Sequence, residues 1–416
     1  MKYKTPRGTQ DFLPDYLEKW KYVEAIWREM VDIYGYREIE TPMFEETDLF
    51  TRTAGESSDI VSKEMYTFID KGGRSLTLRP EGTAPVVRSY FEHNMKTLPQ
   101  PVKLFYLMPM FRYERPQAGR FRQHYQYGVE CIGVRDPMID VQTMLLFVNF
   151  YKRLGLIEPK IHLNSLGDDL CRNIYKEKLI KYFHTVKEYL CEQCNYRIIK
   201  NPLRVLDCKE PSCREYIDKS PLMIDNLCNG CKEDFQQVKN LLNNYNVPYV
   251  IEPMLVRGLD YYSRTVFEVT AKGITRDEAI AGGGRYDSIF TEIGNSDISA
   301  VGAGAGMERL IGTLEKQNIS FNFEKRISVF IAVLGGDAKK LGFKLMNHLR
   351  EKMIKCEMEY RDVRIKAQMK KALDLGVNYL IIIGENEISE ELIVLKNLKT
   401  FTQIEIPFYE VEKHLK

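Results

Sequence analysis

The chain has no apolar run approaching the ~18 residues of a membrane span, and Ile327 to Leu334 is only of strand length. Its opening, Met1-Lys2-Tyr3-Lys4-Thr5-Pro6-Arg7-Gly8, lacks the apolar segment of a secretory signal. Membrane and secreted classes are therefore not expected, and the cytoplasm is. Net charge is nearly absent. Lys+Arg at 60 against Asp+Glu at 58 leaves +2, too little to hold nucleic acid by bulk charge, although a local basic face is compatible with it. There is no GxxxxGK[ST] loop, which excludes a P-loop nucleotide enzyme. No Ser/His/Asp or Cys/His arrangement stands out, and the six histidines are scattered. His124 reads as structural. Internal repeats and low-complexity segments are missing too.

What remains is an ordinary folded composition, 44% hydrophobic and 28% charged, which argues against extensive disorder. At ~100–200 residues per domain, 416 residues suggest two to four domains. Leu17, Trp20, Val23, Trp27, Met30, Val31 and Tyr34 recur at three- and four-residue steps. They predict an amphipathic helix over 15–34, stopped at Gly35, with its stripe in the core. Strands are expected over 36–40, 75–79, 103–115, 123–134, 249 onward, 263–271 and 278–281. Pro116 to Arg122 reads as a polar loop, and Asp136-Pro137 as the start of a helix that closes at Gly155. These strands have no regular crossover helices between them, which favours an antiparallel sheet. From about Cys171 to Tyr245 the pattern turns helical and cysteine-rich without catalytic-looking residues, as an inserted module would. Gln317 to Lys325 reads as a linker. Beyond it, strand and helix alternate from Ile327 to Ile383 as a βαβαβ unit of a small α/β domain. The expected fold class is thus α+β. Its divisions are a core at 1–168 and 249–322, an insertion at 169–248 and an α/β domain at 326–416.

Chemistry-bearing residues concentrate in five places. In Phe111-Arg112-Tyr113-Glu114-Arg115, period two puts Arg112 and Glu114 on one face, while Gln126, Gly128 and Glu130 share a face of the return strand. Tyr125, Tyr127, Val129 and Cys131 take the other. An arginine fork suits a phosphate, and a glutamate with a glutamine suits an ammonium or imidazole N–H. A solvated face with cross-strand ion pairs is the plainer alternative. Arg257-Gly258-Leu259-Asp260-Tyr261-Tyr262 reads either as a site or as a turn in which the arginine and aspartate pair. Gly282-Gly283-Gly284-Arg285-Tyr286-Asp287 reads as a glycine-rich turn open to a ligand. Gly302-Ala303-Gly304-Ala305-Gly306-Met307-Glu308-Arg309 alternates small residues into a helix, where a flat purine could lie against Arg309. It misses the GxGxxG dinucleotide spacing because Met307 stands at the third glycine. Cys191-x-x-Cys194 and Cys228-x-x-Cys231 have the paired spacing of a structural zinc, with Cys208 and Cys213 as rival ligands and reduced thiols as the alternative.

Together these segments resemble the histidyl-tRNA synthetase family of class II aminoacyl-tRNA synthetases over nearly the whole chain. Thr5 to Asp11 resembles the family's opening. Tyr36-Arg37-Glu38-Ile39-Glu40-Thr41-Pro42 is similar to motif 1, and Leu78-Arg79-Pro80-Glu81-Gly82-Thr83 to the amino-acid-binding turn. The hairpin from Phe111 through Glu130 is similar to motif 2, and Gly304 to Arg309 to motif 3. The Arg257–Tyr262 element resembles a signature peculiar to the histidine enzymes. The resemblance implies an antiparallel-sheet catalytic core, a C-terminal anticodon-binding domain, a homodimer, and the substrates L-histidine, ATP with Mg²⁺, and tRNA(His), with neither membrane nor DNA involved. It implies that Arg112 holds the α-phosphate and Arg309 the γ-phosphate, with Glu114, Gly304 and Gly306 at the nucleotide. Glu81, Thr83 and Gln126 would bind the α-amino group. Glu130 and Tyr262 would read the imidazole, with Tyr261 and Tyr286 beside them, and Arg257 would contact the carboxylate and α-phosphate. Arg115 and Gln117 would meet the acceptor end of the tRNA, and Arg361, Arg364 and Lys366 its phosphates. The synthetase-like regulatory subunit of ATP phosphoribosyltransferase is the competing reading. It typically lacks the anticodon domain and an intact Arg-Gly-Leu-Asp-Tyr-Tyr element, both of which this sequence has.

Overall fold

In the computed structural model, which describes residues 3–55, 58, 60–115, 120–273, 279–321 and 327–415, the amphipathic stripe near the start forms helix Pro14–Ile33. Pro14 stands in its first turn and Trp20, Val23, Trp27, Met30 and Val31 are buried. Gly35, at a φ of +75°, lets the chain reverse behind it. Trp27 then packs edge-on against Tyr127 and Phe150. Helix Pro137–Arg153 starts as the Asp136-Pro137 pair predicts, with Asp136 accepting the Met138 N–H at 2.8 Å.

These helices cover one face of a sheet that has eight strands among the described residues. Its spatial order runs Arg37–Glu38, Val102–Phe111, Gln123–Ile132, Ala300–Gly306, Ala281–Arg285, Ser263–Thr270, Lys160–Ser165, Tyr249–Ile251. The pairing is antiparallel except at the two edges, where Arg37–Glu38 and Tyr249–Ile251 run parallel to their neighbours. The expected antiparallel core is therefore present. Tyr127, Val129 and Cys131 point into the helix-covered core, as the alternation requires. On the opposite face a second core gathers Tyr106, Met108, Tyr261, Tyr262 and Tyr286 with helix Thr83–Glu92.

Three expectations need correction. Gly282, Gly283 and Gly284 form no turn; they lie inside a buried central strand, because glycine is the residue its neighbours leave room for. The strand expected from Glu278 begins at Ala281, and residues 274–278 lie outside the described residues. The linker is also shorter than expected at its start, since Gln317 donates to the Lys272 carbonyl at 2.9 Å and Phe321 packs on the core. Its remainder, 322–325, lies outside the described residues.

Residues 169–244 form the helices Asp169–Thr185, Glu192–Lys200, Pro211–Ile217 and Asn229–Asn244 around a small core of their own. The chain separates into two compact units, Met1–Phe321 and Asn322–Lys416. The second has a five-stranded sheet with Val329–Val333 between two parallel partners. Two antiparallel strands, Leu392–Asn397 and Gln403–Pro407, extend its edge beyond the βαβαβ run. Separate apolar clusters pack against its two faces. Among the described residues no helix is long and apolar enough to cross a membrane.

Candidate active site

The register of the large sheet creates the site. Residues directly opposite one another share a face, so Tyr106, Gly128, Gly304, Gly282 and Glu268 form one row across five strands. The three glycines make a low floor between Tyr106 and Glu268. Side chains from either side lie flat over it. A Cβ on Gly304 would fall 2.1 Å from Gln126 Nε2, and one on Gly282 would fall 2.3 Å from Arg257 Nη1. In the adjoining row Gly302 faces Glu130, where a Cβ would meet Glu130 Oε2 at 1.8 Å.

Above this floor opens a cavity of about 1110 Å³. Glu81, Thr83, Arg112, Glu114, Gln126, Arg257, Tyr261, Tyr262, Gly304, Gly306 and Arg309 all line it. Glu130 and Tyr286 lie beneath its surface and are fully buried. Tyr286 Oη donates to Glu130 Oε2 at 2.5 Å, and Thr83 Oγ1 donates to Oε1 at 2.7 Å. Tyr106 Oη reaches the same Oε1 at 3.4 Å and accepts from Gln126 Nε2 at 3.0 Å. Burial pushes the Glu130 carboxyl up to about 8. Glu81 sits at the start of helix Thr83–Glu92, where it accepts the Thr83 and Ala84 N–H groups at 2.6 and 2.9 Å. Tyr261 Oη donates to it at 3.4 Å, and burial raises its carboxyl as well.

The cations flank this acidic end. Arg112 and Glu114 follow the end of their strand at Phe111. Arg112 Nε donates to the Pro80 carbonyl at 2.7 Å, while Glu114 lies 3.8 Å from Arg112 and 3.6 Å from Arg120. Arg257 Nη1 pairs with Glu268 at 2.5 Å, and its guanidinium lies 5.5 Å from the Tyr262 ring centre. Its buried Nε has no hydrogen-bond partner among the described residues, a donor left for a ligand. Arg257 and Asp260 do not pair with each other: Asp260 Oδ1 accepts from Arg204 Nε at 2.9 Å. Arg309 Nη1 donates to the Ala279 carbonyl at 2.8 Å. Arg79, fully buried, donates to the carbonyls of Thr41, at 2.5 Å, and Pro109, at 2.9 Å, and so ties the Leu78–Thr83 turn to strand Val102–Phe111 and to the segment at Thr41.

Several contributors escaped the sequence reading. Tyr106 reads as one more apolar-face residue of its strand. Glu268 stands in a strand that carries no recognised motif. Glu308 accepts the Tyr125 N–H with both oxygens, at 3.0 and 3.1 Å, and burial raises it to about 7. His124 lines the cavity with its imidazole held near 3 by burial, Arg112 and Arg309. The insertion, read from its sequence as a module without catalytic-looking residues, supplies a wall through Gln193, Arg197, Cys208, Lys209 and Arg214.

The residues proposed to touch tRNA are scattered. Arg115 is exposed, and Gln117 lies outside the described residues. Arg361 pairs with Glu359 at 2.9 Å, and Lys371 takes the other oxygen of the same carboxylate at 3.1 Å. Arg364 and Lys366 are exposed at the start of helix Ile365–Asp374. The expected zinc set is overturned. Cys191 and Cys194 converge with Cys208 and Cys213, whereas Cys228 and Cys231 converge with Asp168 and Cys171. The two paired motifs stand at the starts of two different helices, Glu192–Lys200 and Asn229–Asn244, and each meets ligands from other segments instead of the other pair.

An antiparallel sheet that sets arginines and buried carboxylates over a glycine floor, with motifs 1, 2 and 3 in order, defines a class II aminoacyl-tRNA synthetase. A family model described as histidyl-tRNA synthetase matches residues 8–180 and 219–310, and one described as an anticodon binding domain matches 328–416. The histidine–tRNA ligase of Halothermothrix orenii is 46% identical over 406 residues, covering 98% of this chain and 97% of the relative. That of Pelotomaculum thermopropionicum is 46% identical over 411 residues, covering 99% and 97%. The apo histidyl-tRNA synthetase of S. aureus superposes with a TM-score of 0.84 at 39% identity, with 99% of each chain covered. The chain belongs to the histidyl-tRNA synthetase family. A structure described as an ATP phosphoribosyltransferase regulatory subunit/histidyl-tRNA synthetase from Bacillus halodurans shares the fold, with a TM-score of 0.64 at 20% identity over 92% of this chain and 99% of that one. The regulatory-subunit reading is not favoured, because relatives matching at nearly full length are ligases.

Proposed function

We propose that this chain joins L-histidine to tRNA(His) in two steps within the cavity described above. The histidine carboxylate attacks the α-phosphorus of ATP, forming histidyl-adenylate and releasing pyrophosphate. The terminal ribose hydroxyl of the tRNA then attacks the carbonyl carbon, and AMP leaves. No side-chain nucleophile is required.

The observation that carries this reading is the Glu130 carboxyl, buried and fixed by Tyr286, Thr83 and Tyr106 at one end of the glycine floor. Such a group accepts an imidazole N–H that other amino acids lack, and a substrate without it leaves a buried acceptor unpaired. Glu81, Thr83 and Gln126 take the ammonium group. Tyr261 orients Glu81, and Tyr262 stacks beneath Arg257 at the imidazole. Arg112 and Arg257 stand where negative charge grows on the α-phosphate, and stabilise it without rearranging. Gly304 and Gly306 leave a flat surface for the adenine, with Arg309 towards the γ-phosphate and Glu114 at the base. Mg²⁺ would arrive with ATP, its oxygen ligands supplied chiefly by phosphates and water, and would supply charge neutralisation for the leaving pyrophosphate.

Arg115 and Gln117 would guide the acceptor end, and Arg361, Arg364 and Lys366 the anticodon arm, chiefly through phosphates. The family's homodimer is supported by the exposed edge strand Arg37–Glu38 and by the exposed apolar side chains Met43, Phe44, Phe68 and Ile69, on or next to a three-stranded sheet of Phe44–Glu46, Ser75–Leu78 and Tyr66–Ile69. The cytoplasm is the compartment this activity calls for. ATP–pyrophosphate exchange with each of the twenty amino acids in turn tests the reading: exchange is expected with histidine alone. Silence with all twenty, in folded protein supplied with Mg²⁺, would sink it in favour of the regulatory alternative.

A further inference from the structure

Seven of the nine cysteines, all free thiols, gather with Asp168 into two groups of four. We propose that these are two structural zinc sites, one held by Cys191, Cys194, Cys208 and Cys213 and the other by Asp168, Cys171, Cys228 and Cys231. The first also fixes the segment that grips the Arg257–Tyr262 loop.

Distance is the first support. Within each group the ligand atoms all lie within 4.8 Å of one another. Tetrahedral zinc, with Zn–S near ~2.3 Å, holds its thiolates ~3.8 Å apart, and Cys191 Sγ already lies 4.0 Å from Cys208 Sγ. An iron–sulfur cluster interposes several atoms between its thiolates and needs a wider cage. Disulfides fit worse: the second group has three thiols, so pairing would strand one and leave Asp168 without purpose.

The construction is also repeated. Asp168-x-x-Cys171, Cys191-x-x-Cys194 and Cys228-x-x-Cys231 each occupy the cap and first turn of a helix, so both members of a pair leave the same helix end. Asp168 divides its oxygens: Oδ1 accepts the Cys171 N–H at 3.0 Å, and Oδ2 faces Cys228 Sγ at 3.6 Å. Surrounding donors are already aimed at the sulfurs. The Cys191 N–H donates to Cys213 Sγ at 3.1 Å, the Cys228 N–H to Cys171 Sγ at 3.0 Å, and Arg264 Nη1 to Cys231 Sγ at 3.3 Å. Such outer contacts hold metal ligands in place. Arg264 keeps this position in a left-handed conformation at a φ of 49°, unusual for a residue with a side chain, while its backbone bonds Leu166 and Gly167.

The two sites do different work. The second ties the start of the insertion to its last helix and closes it at the base. The first brackets the short helical segment Pro202–Asp207, whose Arg204 donates to Asp260 and, at 2.6 Å, to the Gly258 carbonyl. Zinc there is a positioning element for the histidine loop.

Metal analysis of the full-length protein, purified with reductant and without chelator, should find two zinc per chain. Cys208→Ser with Cys213→Ser should leave one, and so should Cys228→Ser with Cys231→Ser. Cobalt substitution separates the sites: the first double variant should keep the spectrum of a three-thiolate site, the second that of a four-thiolate site. Should a variant fail to fold, stepwise chelator titration of the native protein still decides, since one zinc should release four thiols and the other three. Loss of the first zinc should raise KM for histidine severalfold, and Arg204→Ala should reproduce that rise with both zincs retained. One zinc per chain in the native protein that disappears on altering either CxxC pair, disulfides seen by mass, a coloured iron cluster, or a metal-free protein that takes up neither zinc nor cobalt would each overturn the proposal.

Discussion

Arg204 of the insertion and Asp260 of the Arg257–Tyr262 loop form an ion pair at 2.9 Å with the arginine side chain almost wholly buried. The same guanidinium holds the Gly258 carbonyl. One residue of a module that looks peripheral in sequence therefore clamps both sides of Leu259. Arg204→Ala leaves a carboxylate and a carbonyl without their donor, a local cost of about 2–4 kcal/mol. The loop should loosen, so KM for histidine should rise while KM for ATP changes little. Exchange kinetics with each substrate varied separately check this. An equal rise in both would place Arg204 in general stability instead.

Arg257→Ala should lower the exchange rate by about two to three orders of magnitude, the loss expected on removing one fixed donor from a developing oxyanion. The deletion removes the 2.5 Å contact between Arg257 Nη1 and Glu268, so Arg257→Ala with Glu268→Gln serves as the charge-balanced control. Both variants should retain their far-UV circular dichroism. Near-normal exchange in either would remove Arg257 from its assigned role.

Glu130 carries a pH signature. Burial raises its carboxyl from 4.5 to about 8. Between those values the folded chain binds a proton that the unfolded chain has released, so this group's contribution to stability falls as pH rises. Glu130→Gln keeps the hydrogen-bonding shape without the ionisation. Its stability relative to the parent should therefore improve steadily from about pH 5 to about pH 8, as read by denaturant melts at each pH. The variant should also lose discrimination for histidine. A pH-independent difference between the two proteins would show that Glu130 titrates normally.

Gly302→Ala tests the floor directly. The added Cβ would stand 1.8 Å from Glu130 Oε2 and 2.7 Å from the Val129 carbonyl, so the carboxyl must move. A stability loss of about 1–3 kcal/mol is expected from the overpacking, together with loss of histidine activation. Gly312→Ala, with open space at its Cβ, should be silent in the same assays.

Removing residues 322–416 should cost tRNA charging far more than adenylate formation, because the two compact units have separate apolar cores. Equal loss in charging and in exchange would mean that the second unit supports the catalytic cavity.

Much of the site was legible along the chain because residue type and strand alternation are local properties. Gln126 and Glu130 face the side that period two assigns to them, while Arg112 stands just past the end of its strand and still lines the same cavity as Arg257 and Arg309. The glycine triplet misled because a turn and a crowded central strand both select glycine, the one for backbone freedom and the other for space. Glu268 and Tyr106 were invisible because nothing in their own segments distinguishes them. They become part of the site only as the two ends of a row that crosses five strands.

The sequence by itself determined the family, the antiparallel core, the α/β unit at the end and the residue types gathered at the cavity. Tertiary structure alone decided the pairings. Tyr286 meets Glu130 across 156 residues of chain, and Arg204 meets Asp260 across 56. Cys194 joins Cys208 and Cys213, not the matching motif at Cys228. Periodicity sets which face a side chain takes, and spacing sets what a single helix end can hold. Which faces and ends come together follows from sheet register and helix packing, and those are set by contacts distant in the chain.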